Sequence, residues 1–159
     1  MDQKLTNIEL NCWLAEHLLK FEWWKSSRSG RRGLFPPDKI PNHFHEKADG
    51  TEDLCIDHPS HVPDFSGSRT EVWQIIEQCK KEGIHFLIQS HNNCVIAYQV
   101  STFPGVIDGS SIDLLHFGSF GETLPRSICE AAMEAIEASQ KKPMPPPSLE
   151  GLNKLKKEL

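Results

Sequence analysis

Nowhere among the 159 residues does an apolar run approach the roughly 18 that a membrane-spanning helix needs. The start, MDQKLTNIEL, also lacks the apolar core behind a basic end that a secretory leader would have. A soluble, cytoplasmic protein with no membrane partner is therefore expected. Cysteine gives no disulfide framework: Cys12, Cys55, Cys79, Cys94 and Cys129 are odd in number and scattered, and four of the five fall in segments with helical or strand pattern. Buried free thiols in a reducing compartment fit that distribution better. Basic charge is short as well. With 22 acidic residues against 17 basic ones, a net charge of -5 and a pI near 5.9, bulk attraction to long nucleic acid is excluded, while a local basic pocket is not. The chain has no Gly-x-Ser-x-Gly elbow, no Gly-x-x-x-x-Gly-Lys phosphate loop and no dinucleotide fingerprint, which weighs toward binding over catalysis.

What is present suffices for one core. The length is that of a single domain, and 4 Trp with 8 Phe supply the large side chains to close it. Thr6-Asn7-Ile8-Glu9 has capping-box spacing, and Leu10, Trp13, Leu14, His17 and Leu18 then recur at helical period, predicting a helix over 7–20. Aromatic-rich 21–27, turn chemistry at Ser27-Arg28-Ser29-Gly30 and a return over 31–35 predict a short hairpin with a basic tip. From 36 to 62 periodicity vanishes while Pro, His, Asp and Gly accumulate, the mark of a long irregular excursion. A second capping-box spacing, Ser68-Arg69-Thr70-Glu71, precedes a stripe of Val72, Ile75, Ile76 and Cys79. Runs at 84–90 and 94–102 predict a β-hairpin, a short strand is expected around 114–117, and Thr123-Leu124-Pro125 opens a third helix with a stripe of Ile128, Ala132 and Ile136. The expected architecture is α+β, an antiparallel β-sheet sandwiched by helices in the order α-β-β-α-β-β-α. One domain spans 1–140, with the inserted loop at 36–62 and a proline-rich, basic tail over 141–159.

Three stretches, NIELNCWLAEHLL, PDFSGSRTEVWQIIEQC and ETLPRSICEAAMEAI, carry this element order. Together they resemble the phage alpha-beta-alpha sandwich family, small phage and prophage proteins with helix-sheet-helix layering. The resemblance covers 6–24, 63–100 and 121–137, and the Asp-Phe-Ser approach to a Trp-bearing helix is its most specific part. The chain departs from the pattern in the excursion, in the connection over 103–120 and in the tail. The family is similar to Thoeris anti-defence sponge proteins. That likeness implies a non-enzymatic protein of an infected or lysogenic bacterial host that sequesters a cyclic nucleotide or cyclic ADP-ribose-like signal without cleaving it, as a homodimer or higher homo-oligomer. A protein-protein inhibitor or adaptor is the alternative, and a zinc-dependent enzyme the third.

Such a ligand presents phosphates and flat bases, so guanidinium or ammonium donors and aromatic faces are what must be found. Lys25, Arg28, Arg31 and Arg32 with Trp23 and Trp24 supply both within ten residues, against the plainer reading of a solvated hairpin tip with a Trp in the core. The helix starts near Ser68-Arg69 and near Arg126 would add amide groups at a positive dipole end, each beside an arginine. His43, His45, Cys55, His58 and His61 form a metal-ligand alternative, with Cys55-x-x-His58 as a half-site; a merely polar loop is the other reading, and no cofactor is expected.

Overall fold

The computed structural model describes residues 3–48, 62–102 and 110–141. It has three helices and two antiparallel three-stranded sheets, so the α+β class and the alternation of helices with antiparallel strands stand. The first sheet holds one strand more than the sequence pattern announces, and in the second the strand expected around 114–117 is present and longer.

Helix α1 runs Asn7–His17 and begins as its residues dictate. The Thr6 Oγ1 accepts from the Glu9 N–H (3.3 Å), and the Glu9 carboxylate accepts from the Thr6 N–H (2.7 Å), closing the capping box. This contact holds the Glu9 carboxyl below its ordinary range. Leu10, Leu14 and Leu18 line the buried side, each worth about 1.5–3 kcal/mol in area removed from water.

Strands β1 (Glu22–Ser26) and β2 (Arg32–Phe35) form the expected hairpin, with Trp23 opposite Leu34 and Lys25 opposite Arg32. Its loop is closed by the Ser26 carbonyl accepting from Gly30 N–H (3.0 Å), with Gly30 at φ 67, where a β-carbon would be strained. Strand β3 (Phe44–Lys47) lies inside the segment expected to be irregular. Only Phe44 of Phe-His-Glu-Lys turns inward, so no period-2 pattern marks it; it forms because β1 has a second open edge to pair with. The sheet order is β2-β1-β3. Phe35 and Phe44 meet edge to face at 4.6 Å on one side of this sheet, and a β-carbon on Gly33 would run into the Phe35 ring.

Helix α2 (Val72–Lys81) buries Val72, Ile75 and Cys79. Only half of the second capping box forms: Ser68 Oγ accepts from the Glu71 N–H (3.3 Å), and no side chain caps the helix start at Glu71. Strands β4 (Ile84–Gln89), β5 (Cys94–Thr102) and β6 (Ser110–Phe120) pair in that order. The last is longer than the four residues expected, because β5 continues to Thr102 and offers it a full-length edge. Helix α3 (Leu124–Lys141) packs on β5 and β6, and α2 packs on α3 and β4. Val95 and Ala97 of β5, fully buried, face this helical layer. The core joins these helices to α1 and, through Leu34 and Trp23, to the first sheet.

Candidate functional site

The residues expected to bind fall into three places. At the hairpin, strand alternation separates the pieces. Trp23 and Lys25 lie on one face with Leu34, and Trp24 lies on the other. Trp23 packs on the core, and Trp24 is half-buried with the Lys47 ammonium 5.8 Å from its ring centre. Neither indole N–H has a partner among the described residues, and both are buried. The two indoles therefore do not form one stacking surface beside the cations: they stand on opposite faces of the sheet, each half-buried. Lys25 stands between Arg32 and Glu46 in register, and Arg32 is half-buried. Arg28 and Arg31 are exposed at the tip.

Arg126 requires a second correction. It is only 8% exposed and lies in the core side of α3. Its Nε–H donates to Glu130 (2.7 Å), one terminal nitrogen donates to Asn7 Oδ1 and the other to the Leu5 carbonyl (2.6 Å). Glu130 also accepts from Ser119 (3.0 Å) and meets Lys4 at 3.5 Å. A guanidinium so buried and so partnered ties α3 to the start of α1 and is committed to the fold.

Ser68 and Arg69 fare differently. Two of the three helix starts, those of α2 and α3, converge on one groove of about 230 Å³ whose lining includes Arg69, Trp73, Ile76, Ile88, Asn93 and Leu124. Arg69 is exposed, and Trp73 is 59% exposed although it sits in a helix whose other large apolar residues are covered. Neither Trp73 nor Asn93 was among the expected site residues. The available signal was that Trp73 falls off the stripe made by Val72, Ile75, Ile76 and Cys79, so a large aromatic was bound to face outward. Asn93, at φ 53 in the β4–β5 turn, anchors the groove's rim by donating to the Glu122 carbonyl (3.2 Å).

No family model, curated protein or solved structure matches the chain. The site must be judged on its own chemistry.

Of the metal-ligand alternative, His43 and His45 line a single hollow at the hairpin tip. Cys55, His58 and His61 lie outside the described residues. Among the described residues no three His, Cys, Asp or Glu side chains come together as a metal site would need. The thiols of Cys79 and Cys129 are buried, which pushes Cys79 up to about 12 and Cys129 higher still; Cys12, half-buried, is raised by burial and by Glu16 and Glu9. Burial of Cys79 and Cys129 thus disfavours the thiolate that nucleophilic chemistry needs. Among the described residues no helix is long and apolar enough to cross a membrane.

Proposed function

We propose that the chain is a non-catalytic binding protein that sequesters a cyclic nucleotide or cyclic ADP-ribose-like signal in the groove between α2 and α3, in keeping with its resemblance to phage alpha-beta-alpha sandwich proteins. The observation that carries this reading is the pairing of an exposed indole, Trp73, with an exposed guanidinium, Arg69, over an apolar floor of Ile76, Ile88 and Leu124. A base stacks on the indole, a phosphate meets the guanidinium, and Ser90 and Asn93 offer the few polar groups that orient a ligand. Among the described lining residues Arg69 is the sole ionisable side chain, so the groove supplies charge and stacking without a group to accept a proton; this supports holding over cleaving. A hollow of about 230 Å³ is small for a ligand of two nucleotides, so a wall from a second copy would complete the enclosure.

Isothermal titration against a panel of cyclic nucleotides, followed by heating and recovery of the ligand, tests the reading. Intact ligand recovered is the expected result, and an altered ligand would establish an enzyme instead. Trp73→Ala should weaken binding roughly tenfold or more, the value of one base stack. Light scattering should give at least a dimer mass with ligand present. A second reading, a protein-protein adaptor, is favoured by Leu87 (55% exposed) and Phe120 (68% exposed), which share the face of the second sheet turned away from the helices. Absence of heat with every nucleotide would favour it.

A further inference from the structure

The first sheet concentrates positive charge in a chain that is acidic as a whole. Between residues 22 and 47 there are six cations (Lys25, Arg28, Arg31, Arg32, Lys39, Lys47) and three carboxylates (Glu22, Asp38, Glu46). Two of those carboxylates are accounted for within the strands: Glu22 pairs with Lys47 at 3.6 Å, and Glu46 stands across from Lys25. At the tip a hollow of about 250 Å³ is lined by Ser27, Arg28, Asn42, His43 and His45. Among these described lining residues every side chain carries a hydrogen-bond donor and none is a carboxylate.

Among the described residues, backbone and serine groups hold the walls of the hollow in place. The Ser27 N–H and hydroxyl both donate to the His43 carbonyl (3.0 and 3.3 Å), fixing the hairpin loop against the segment that enters β3. Ser26 Oγ accepts from the N–H groups of Arg28 and Ser29 (3.3 Å each), so the backbone that carries Arg28 is braced from below. The His43 ring lies 4.6 Å from that of Phe44, a buried residue, which limits its swing.

We infer that this hollow is a phosphoryl-anion site, taking a phosphate monoester, with Arg28 as its fixed charge and His43 and His45 as N–H donors. Arg28 decides the sign of the ligand. Two imidazoles alone could serve a divalent metal, but a guanidinium, which cannot lose its proton, repels a cation at such range and attracts an oxyanion. Arg28 can meet two phosphate oxygens at once, and the imidazoles and the Asn42 amide reach the others. This site is separate from the α2–α3 groove and stands or fails independently of it.

The test follows the imidazole signals of His43 and His45 by NMR in the full chain during titration with inorganic phosphate, adenosine 5′-monophosphate, adenosine and zinc. Saturable shifts of both rings are expected with phosphate and with the monophosphate, and none with adenosine. Arg28→Ala should weaken the effect at least about tenfold while the amide spectrum elsewhere stays unchanged, and Arg28→Lys should restore part of it. Inorganic phosphate and the monophosphate differing in affinity would tell whether a free anion or an ester is preferred, both supporting the site. Equal shifts in the parent and in Arg28→Ala would reduce the effect to general anion screening and overturn the inference. So would adenosine acting as well as its phosphate, or zinc moving both rings where phosphate moves neither.

Discussion

Arg126 and Arg28 put the same side chain to opposite uses. At the corner where α3 crosses the start of α1, Arg126 is buried and its donors are shared among Glu130, Asn7 and Leu5. At the hairpin tip Arg28 is exposed, and the bonds that order its surroundings belong to backbone and serines. The difference teaches that a basic residue near a helix start is a poor guide to recognition unless its burial is known. A guanidinium taken out of water must be satisfied by the fold, and the fold then owns it.

The sharpest test is to remove each arginine in turn. Arg126→Met should cost about 3 kcal/mol or more, because Glu130 and two acceptors lose their partner inside the protein; urea unfolding would register it as a lower midpoint. If the midpoint moved no more than it does for a surface change, the corner would not be the structural tie described above.

Alkaline pH probes the helical side from another direction. Cys79 and Cys129 are held protonated by burial, from an ordinary value near 9.0 upward to about 12 for Cys79 and further for Cys129. Above pH 9 the unfolded chain sheds thiol protons that the folded chain keeps, so stability present below that pH is lost as pH rises. The loss is roughly 1.4 kcal/mol per pH unit for each thiol. Unfolding midpoints between pH 8 and 10, compared with those of a Cys79→Ala, Cys129→Ala variant, isolate the effect from that of lysines. Identical slopes would contradict it.

Asn11 tests the seam between α1 and the approach to α2. Its amide nitrogen donates to Asp64 (3.0 Å), and its oxygen accepts from the buried Ser66 N–H (2.9 Å), while Asp64 also receives Gly67 N–H (3.1 Å). Asn11→Ala leaves that amide without a partner and should cost about 1–3 kcal/mol, read as a loss of melting temperature.

These contacts explain why the sequence was legible in parts. The Thr6–Glu9 box is a three-residue affair, so spacing alone announces it; the stripes of α2 and α3 and the alternation of β5 are equally local. In the Pro-Asp-Phe-Ser segment, Phe65 and Ser66 are buried, and Asp64 and Ser66 bind Asn11 across more than fifty residues of sequence. β3 escaped because it is short and has one inward residue. The burial of Arg126 escaped because its partner Asn7 is 119 positions away, and no local pattern encodes such a meeting. The division of Trp23 and Trp24 between two faces, by contrast, is local, since strand alternation alone dictates it.

The smallest effect belongs to the tip. Arg28→Ala with Arg31→Ala should shift the melting temperature by less than about 2 °C, since neither exposed side chain holds a described element in place. A shift comparable to that of Arg126→Met would erase the contrast between the two regions.

The distance of Asn7 from Arg126 also sets an order in time. On a translating ribosome α1 and the first sheet emerge early, but Leu10 and Leu14 share their core with Ile128 and Ala132, which are synthesised more than a hundred residues later. The stretch from α2 through β4, β5 and β6 to α3 is continuous in sequence and pairs neighbour with neighbour, so it can assemble rapidly once complete. The amino-terminal third must wait for it with apolar surface uncovered. Birth of the native chain is thus a clasp fastened last at α3, and the interval before that fastening is when the nascent protein is most exposed to capture by chaperones or by its own copies.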